Sequence, residues 1–211
     1  MVYHLQLHAV LSGDVVNSTK LKRRAEKVLF ASLDKIFADV PFAFYRGDSF
    51  QAYLEDPYIA LRTALRCRAS AISLSDKIGS DPSDIRVSIG LGPVEGPISE
   101  PGKGKGPAFV LSGRTLDHIQ GSDSRLAITI EDPLANEAFK ILSAYLNSIF
   151  DKMTSKQAHI IEGMLEDQTI QAIADRLGKS KSTVHQLTVS GRWNEIEKLI
   201  SSYHNLLSLL I

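Results

Sequence analysis

Apolar and polar positions alternate near the start of the chain. Leu5-Gln6-Leu7-His8-Ala9-Val10-Leu11 reads as a strand that stops at the turn Ser12-Gly13-Asp14. Over residues 20–38 the period lengthens, and Leu21, Ala25, Val28, Leu29, Leu33, Ile36 and Phe37 form a helical stripe. Two short apolar runs, 42–45 and 50–54, flank Arg46-Gly47-Asp48-Ser49, where glycine supplies the φ freedom a tight hairpin needs. Pro57 suits a first helical turn, and helical spacing continues to about residue 78 through Ile59, Ala60, Leu65, Ala69 and Ile72. Residues 85–89 predict another strand, ended by Gly90 and Gly92. The loop from Pro93 to Pro107 is long enough to mark a functional or mobile segment. A helix over about 108–120, a strand over 126–130 and a helix over about 133–150 complete this half.

A hairpin framed by two helical crossovers is the split βαββαβ, or ferredoxin-like, arrangement. The expected fold class is therefore α+β: one mixed, largely antiparallel sheet with helices on one face. Residues 151–211 change character and hold no strand-like run. Helices are expected over 154–165, 169–177, 180–190 and from about 192 onward. The switch near Asp151-Lys152 marks the expected boundary between a 1–150 α+β domain and a 151–211 all-α domain.

Composition narrows the class without naming it. Of 211 residues, 44% are hydrophobic and 23% charged, which excludes wholesale disorder. No run approaches the roughly 18 apolar residues of a membrane span, so no membrane partner is expected. The start lacks the pattern of a secretory signal, and Cys67, the single cysteine, allows no intrachain disulfide; both point to the cytoplasm. Cys67 lies between Arg66 and Arg68, which would activate an exposed thiol, although a helix-packing thiol is the simpler reading. The balance of 24 basic and 24 acidic residues removes any global electrostatic argument for nucleic acid.

The charge is not evenly spread. Across 176–192, Arg176, Lys179, Lys181 and Arg192 meet no acidic residue. Ile170, Ile173, Ala174 and Leu177 make one buried stripe, Gly178 ends the helix, and Ser180 can cap the next. In that next helix Val184 and Leu187 point inward. Lys181, Ser182, Thr183, His185, Gln186 and Thr188 are left on or near the outer face. An apolar seam with a donor-rich front is the helix-turn-helix pattern, and Gln186 could read adenine bidentately. The run Ile173-Ala174-Asp175-Arg176-Leu177-Gly178, followed by Ser180-Lys181-Ser182-Thr183-Val184, resembles the helix-turn-helix of sigma factor region four and of LuxR-type regulators. Lys179 departs from that pattern, which usually carries an apolar residue there. The resemblance implies double-stranded DNA as partner, met by Arg176, Lys179, Ser180, Lys181, Ser182, Thr183, His185 and Gln186; the alternative is a bundle serving protein contacts alone. In the last helix Trp193, Ile196, Ile200, Tyr203, Leu207 and Leu210 trace an a/d seam. It either pairs two chains into a homodimer or packs onto its own domain.

Asp14 ends the first strand and Asp48 sits in the hairpin turn, so a βαββαβ sheet brings both to one end of adjacent strands. Paired carboxylates there suit Mg²⁺ held against nucleotide phosphates. Gly13-Asp14-Val15-Val16-Asn17-Ser18, then Tyr45-Arg46-Gly47-Asp48-Ser49-Phe50, then Arg86-Val87-Ser88-Ile89-Gly90-Leu91-Gly92, resemble in order and spacing the class III nucleotidyl cyclase domain, a relative of the GGDEF fold. The resemblance implies Asp14 and Asp48 as metal ligands, with Asn17, Ser18, Arg46 and Arg114 on phosphate. It fails at the later motif, where Pro107 and Val110 stand at the positions of the cyclase Asp and Asn, and at Phe44, where cyclases place a base-reading Lys. A valine offers no hydrogen bond to developing charge, so cyclisation loses a support.

Across nearly the whole chain, Gly-Asp-Val-Val-Asn-Ser, Arg-Gly-Asp-Ser-Phe-Gln, the Arg86 to Gly92 strand and Gly-Pro-Ala-Phe are similar to the SatD family of bacterial regulators. The expectation that follows is a bacterial transcriptional regulator. A degenerate cyclase-like domain would sense a nucleotide or metal and bias the spacing of two helix-turn-helix units. The alternative is a divergent metal-dependent nucleotidyl cyclase or nucleotidyl transferase, and a third reading is a protein-binding adaptor. Asp14 and Asp48 as plain turn and helix caps is the non-functional reading. Lys103 and Lys105 either approach a phosphate or are simply solvated. His4 and His8 share a strand face without a third zinc ligand nearby.

Overall fold

The computed structural model describes residues 7–45 and 47–210; the expectations placed on His4 and Arg46 lie outside these. Its elements are β1 (His8–Val15), α1 (Arg23–Ile36), β2 (Phe42–Tyr45), β3 (Ser49–Leu54), α2 (Ala60–Ile72), α3 (Leu74–Ile78) and β4 (Ile85–Gly92). There follow α4 (Pro107–Gln120), β5 (Leu126–Thr129), α5 (Pro133–Phe150), α6 (Ser155–Leu165), α7 (Ile170–Leu177), α8 (Lys181–Ser190) and α9 (Trp193–Ser208).

The sheet order is β2-β3-β1-β4-β5. The first four strands are antiparallel throughout, the ferredoxin-like order expected of βαββαβ, and β5 joins parallel to β4. Two strands outrun their expected ends. β1 continues through Ser12, Gly13 and Asp14 to Val15, and β4 through Gly90 to Gly92. These glycines do not break the strands, because they are where other parts of the molecule approach. A Cβ on Gly90 would lie 2.2 Å from the Ala108 carbonyl oxygen and 2.5 Å from the Ser112 nitrogen of α4. Glycine is the residue that admits a helix this close.

Alternation along β1 sends Ala9, Leu11 and Val15 to one face, where they join Leu29, Leu33, Leu61 and Leu65 in the main core. Helices were expected on that face alone, but α4 lies on the other. It is held by a small cluster of Val10, Ala108 and Phe109, and by buried hydroxyls: Ser12 Oγ meets Ser112 Oγ at 3.0 Å, and Ser88 Oγ donates to the Ser112 carbonyl at 2.6 Å. The 93–106 loop folds onto this face as well, seating Val94 and Ile98 against that cluster.

The C-terminal helices share the main core. Ile161 and Leu165 of α6, and Trp193, Ile196, Ile200, Tyr203 and Leu207 of α9, belong to the same buried cluster as the sheet. The a/d seam of the last helix is thereby spent within one chain: Tyr203 is fully buried and its hydroxyl donates to the Pro57 carbonyl at 2.8 Å. Ile160, Ile173, Ala174 and Val184 make a separate small cluster between α6, α7 and α8. Arg68, with no exposed surface, fastens the two halves. Its guanidinium donates to Asp84 at 2.7 Å, Asn147 at 2.9 Å and Asp151 at 3.1 Å, and lies 5.0 Å from the Phe150 ring centroid.

Candidate functional site

The hairpin register places Asp14 opposite Ser49, and the Val15 amide donates to the Asp48 carbonyl at 3.3 Å. Asp14, near the end of β1, and Asp48, in the turn just before β3, therefore lie at one end of the sheet. Asn17, at φ 56°, and Ser18 leave that same end in the connection to α1.

The carboxylate of Asp14, however, is already matched. Arg86, directly across on β4, donates through Nη1 to Oδ1 at 2.8 Å and Oδ2 at 2.9 Å, and Gln120 of α4 donates to Oδ2 at 2.6 Å. Asp14 is 6% exposed. Mg²⁺ requires near-octahedral hard oxygen ligands at about 2.0–2.1 Å. A carboxylate whose two oxygens face a guanidinium and an amide, with the positive charge already in place, does not fit that ion. Among the described residues no cluster of three or more His, Cys, Asp or Glu exists that would hold a metal. Arg86 and Gln120 escaped the sequence reading because a lone polar residue on an alternating strand or helix carries no signal until the pairing is known.

Arg114 is not brought to this end. It lies six residues before Gln120 on α4, about 9 Å along the helix axis, and lines a cleft between α4, β5 and α5. Val110 is exposed, and Phe44 packs against Phe30, Phe42 and Phe50 as core. His8 is buried, its Nδ1 2.9 Å from the Tyr53 hydroxyl, and it belongs to no cluster of three or more possible metal ligands among the described residues. Lys103 pairs with Glu100 at 2.7 Å on the surface.

At the other end of the chain, local chemistry sets the geometry of α7 and α8. Thr169 caps α7, its side chain accepting from the Ala172 amide; Gly178 closes it at φ 60°, and Ser180 caps α8 by accepting from the Thr183 amide at 3.1 Å. Val184 is fully buried, while Ser180, Lys181, Ser182, Thr183, His185 and Gln186 are exposed. Lys179 is half-buried, and Arg176 is exposed with hydrogen bonds to Gln168 and His159.

Two expectations change. Thr188 is buried, its hydroxyl donating to the Val184 carbonyl, so it leaves the outer face. Arg192 turns away from α8: it caps α9 at φ 60°, pairs with Glu195 and stacks over the Tyr145 ring at 5.3 Å. Arg192, with the Tyr145 hydroxyl, holds the Glu195 carboxyl down at about 2. Three of the four cations remain around α8.

No family model matches the chain, and no curated protein matches it. Solved structures do. One is the catalytic core of a rhodopsin-guanylyl cyclase with converted specificity in complex with ATPαS, at 17% identity over 54% of this chain and 72% of that one, with a TM-score of 0.40. The guanylyl cyclase Cya2 gives 14% identity, 53% and 70% coverage and a TM-score of 0.41. A bacterial light-regulated adenylyl cyclase gives 16%, 59%, 76% and 0.40. At such identities no residue of this chain inherits a role from them.

Proposed function

We propose that the chain is a DNA-binding transcriptional regulator in which α7 and α8 act as a helix-turn-helix and α8 enters the major groove. One observation carries the reading: the exposed front of α8 gathers Lys181, Ser182, Thr183, His185 and Gln186, and residues 176–192 contain no acid to repel phosphate. Lysine and arginine at the rim position the helix on phosphates, while Gln186 and the hydroxyls are of a length to meet base edges. The cap at Ser180 matters here, because it fixes the N-terminal turn of α8, the part that meets bases in such modules.

In this reading the α+β half is a non-catalytic scaffold. A nucleotide effector would meet Asn17, Ser18, Arg46 and Asp48 without a metal at Asp14, whose carboxylate is neutralised by Arg86. A homodimer reading two half-sites would pair through a surface other than the buried seam of α9. The test is equilibrium binding of labelled random-sequence duplex at stepped salt, with Lys181→Glu as the control. Wild-type affinity that falls with salt, and a variant weakened on every sequence, support the reading. Undiminished binding by the variant refutes the placement of α8. Incubation with Mg²⁺ or Mn²⁺ and each nucleoside triphosphate is expected to give no cyclic product; turnover abolished by Asp14→Ala would establish the enzyme instead.

A further inference from the structure

A cleft of about 490 Å³ opens along the free edge of β5, with α4 on one side and α5 on the other. This lies within the range typical of small-molecule sites, roughly 300–1,000 Å³. Its lining is mainly apolar, with Leu111 and Ile119 from α4, Ala127 and Ile128 from β5 and Ala144 from α5. Its charged lining is of one sign. Arg114 on α4 and Lys140 facing it from α5 are the charged groups, His118 adds a ring N–H donor one turn from Arg114, and no carboxylate lines the cleft. Lys140 reaches Glu137 on the surface at 2.6 Å, whereas the side chains of Arg114 and His118 have no hydrogen-bond or ion-pair partner among the described residues.

The strand edge itself is closed to another strand. Asn147 donates to the Leu126 carbonyl at 2.9 Å, and the Asn136 carbonyl oxygen accepts from the Ile130 amide at 3.2 Å, so side chains already satisfy outward backbone groups at both ends of β5. Protecting an edge in this manner disfavours strand addition while leaving the apolar floor between the two asparagines open.

We infer that this cleft binds a small organic anion. Its compact apolar body would lie over Ala127, Ile128 and Ala144, and its anionic head group would be met by Arg114 and His118, with Lys140 at the rim. The inference does not depend on the DNA-binding reading, since no residue of α8 takes part.

The probe is 1-anilinonaphthalene-8-sulfonate, an aromatic body carrying one sulfonate, titrated into the full chain while its fluorescence is followed. Saturable binding at one site is expected. Arg114→Gln is expected to weaken it about tenfold, the loss of one charge-assisted contact. Ala144→Trp, at an exposed helix position, fills the cleft and is expected to abolish binding; thermal melting confirms that both variants remain folded. Octanoate should displace the probe and octan-1-amine should not. Probe binding unchanged in both variants would place it elsewhere and overturn the inference, as would equal displacement by the amine or the absence of saturation.

Discussion

Single residues show most sharply what the fold does with charge. Asp14 and Arg86 are each largely buried, 9% and 16% exposed in their side chains, and answer one another across β1 and β4. Removing one member of such a pair leaves the other charge uncompensated. Arg86→Met is therefore expected to cost about 3–5 kcal/mol in denaturant unfolding, while Asp14→Leu combined with Arg86→Met recovers most of the loss. Equal destabilisation by the single and double variants would show that the pair is not what holds this sheet end. Cys67 behaves oppositely from what its arginine neighbours suggest. It has no exposed surface, and burial pushes its thiol well above the usual range. Ellman's reagent is thus expected to label it only as fast as the chain unfolds; rapid labelling of native protein would contradict its place in the core. The helix-packing reading of Cys67 was open to sequence, whereas the Asp14–Arg86 pairing was not. The alternation of β1 put Asp14 on a face, but only strand register shows that Arg86 occupies the opposite position.

Elements were more legible than their neighbours. The helical stripe Ile170, Ile173, Ala174 and Leu177, the Gly178 stop and the Ser180 cap all appear where residue chemistry placed them, because each is a local effect. Ser180→Ala is expected to lower stability by about 1 kcal/mol in denaturant unfolding and to weaken duplex binding more than that loss explains, since the first turn of α8 would fray. A variant that loses stability but binds normally would separate the cap from the proposed interface. Where elements misled, a tertiary contact was the cause. Gly90 and Gly92 look like strand breakers and are instead the floor on which α4 rests. Thr188 was assigned outward on its polarity, yet it stands four residues after Val184 on the same helical face, where α8 is flanked by both α6 and α9, and its hydroxyl is satisfied by the Val184 carbonyl. The fate of the α9 seam was open in sequence for a similar reason: the 3,4 spacing specifies an apolar face and says nothing of its partner.

At the scale of the whole molecule, the change from mixed to helical patterning near residue 151 coincides with the turn between α5 and α6, but the core does not stop there. Ile161, Trp193, Ile196 and Tyr203 complete the layer begun by Leu61 and Phe139, and Arg68 ties Asp84 to Asp151 across the join. Residues 1–150 produced alone would expose that layer. The fragment is expected to lose the cooperative thermal transition of the full chain, and a fragment melting as sharply as the full chain would contradict the shared core. Because α6 and α9, which flank α8, share the main core, α8 is tied to the α+β half, so an effector would act by changing how copies associate or by loosening the α6–α9 join. The sheet face bearing Asp14 is covered by α4 and the 93–106 loop, and its acid is matched by a guanidinium. Both features suit a scaffold better than a metal-dependent active site.

The most direct test is the salt dependence of duplex binding by wild type and Lys181→Gln. If Arg176, Lys179 and Lys181 each meet a phosphate, log affinity should fall against log salt with a slope of about −3 per copy, and the variant should lower its magnitude by about 1. A chain that shows no salt-dependent affinity for any duplex, or a variant whose slope is unchanged, would contradict the assignment of α8 to DNA.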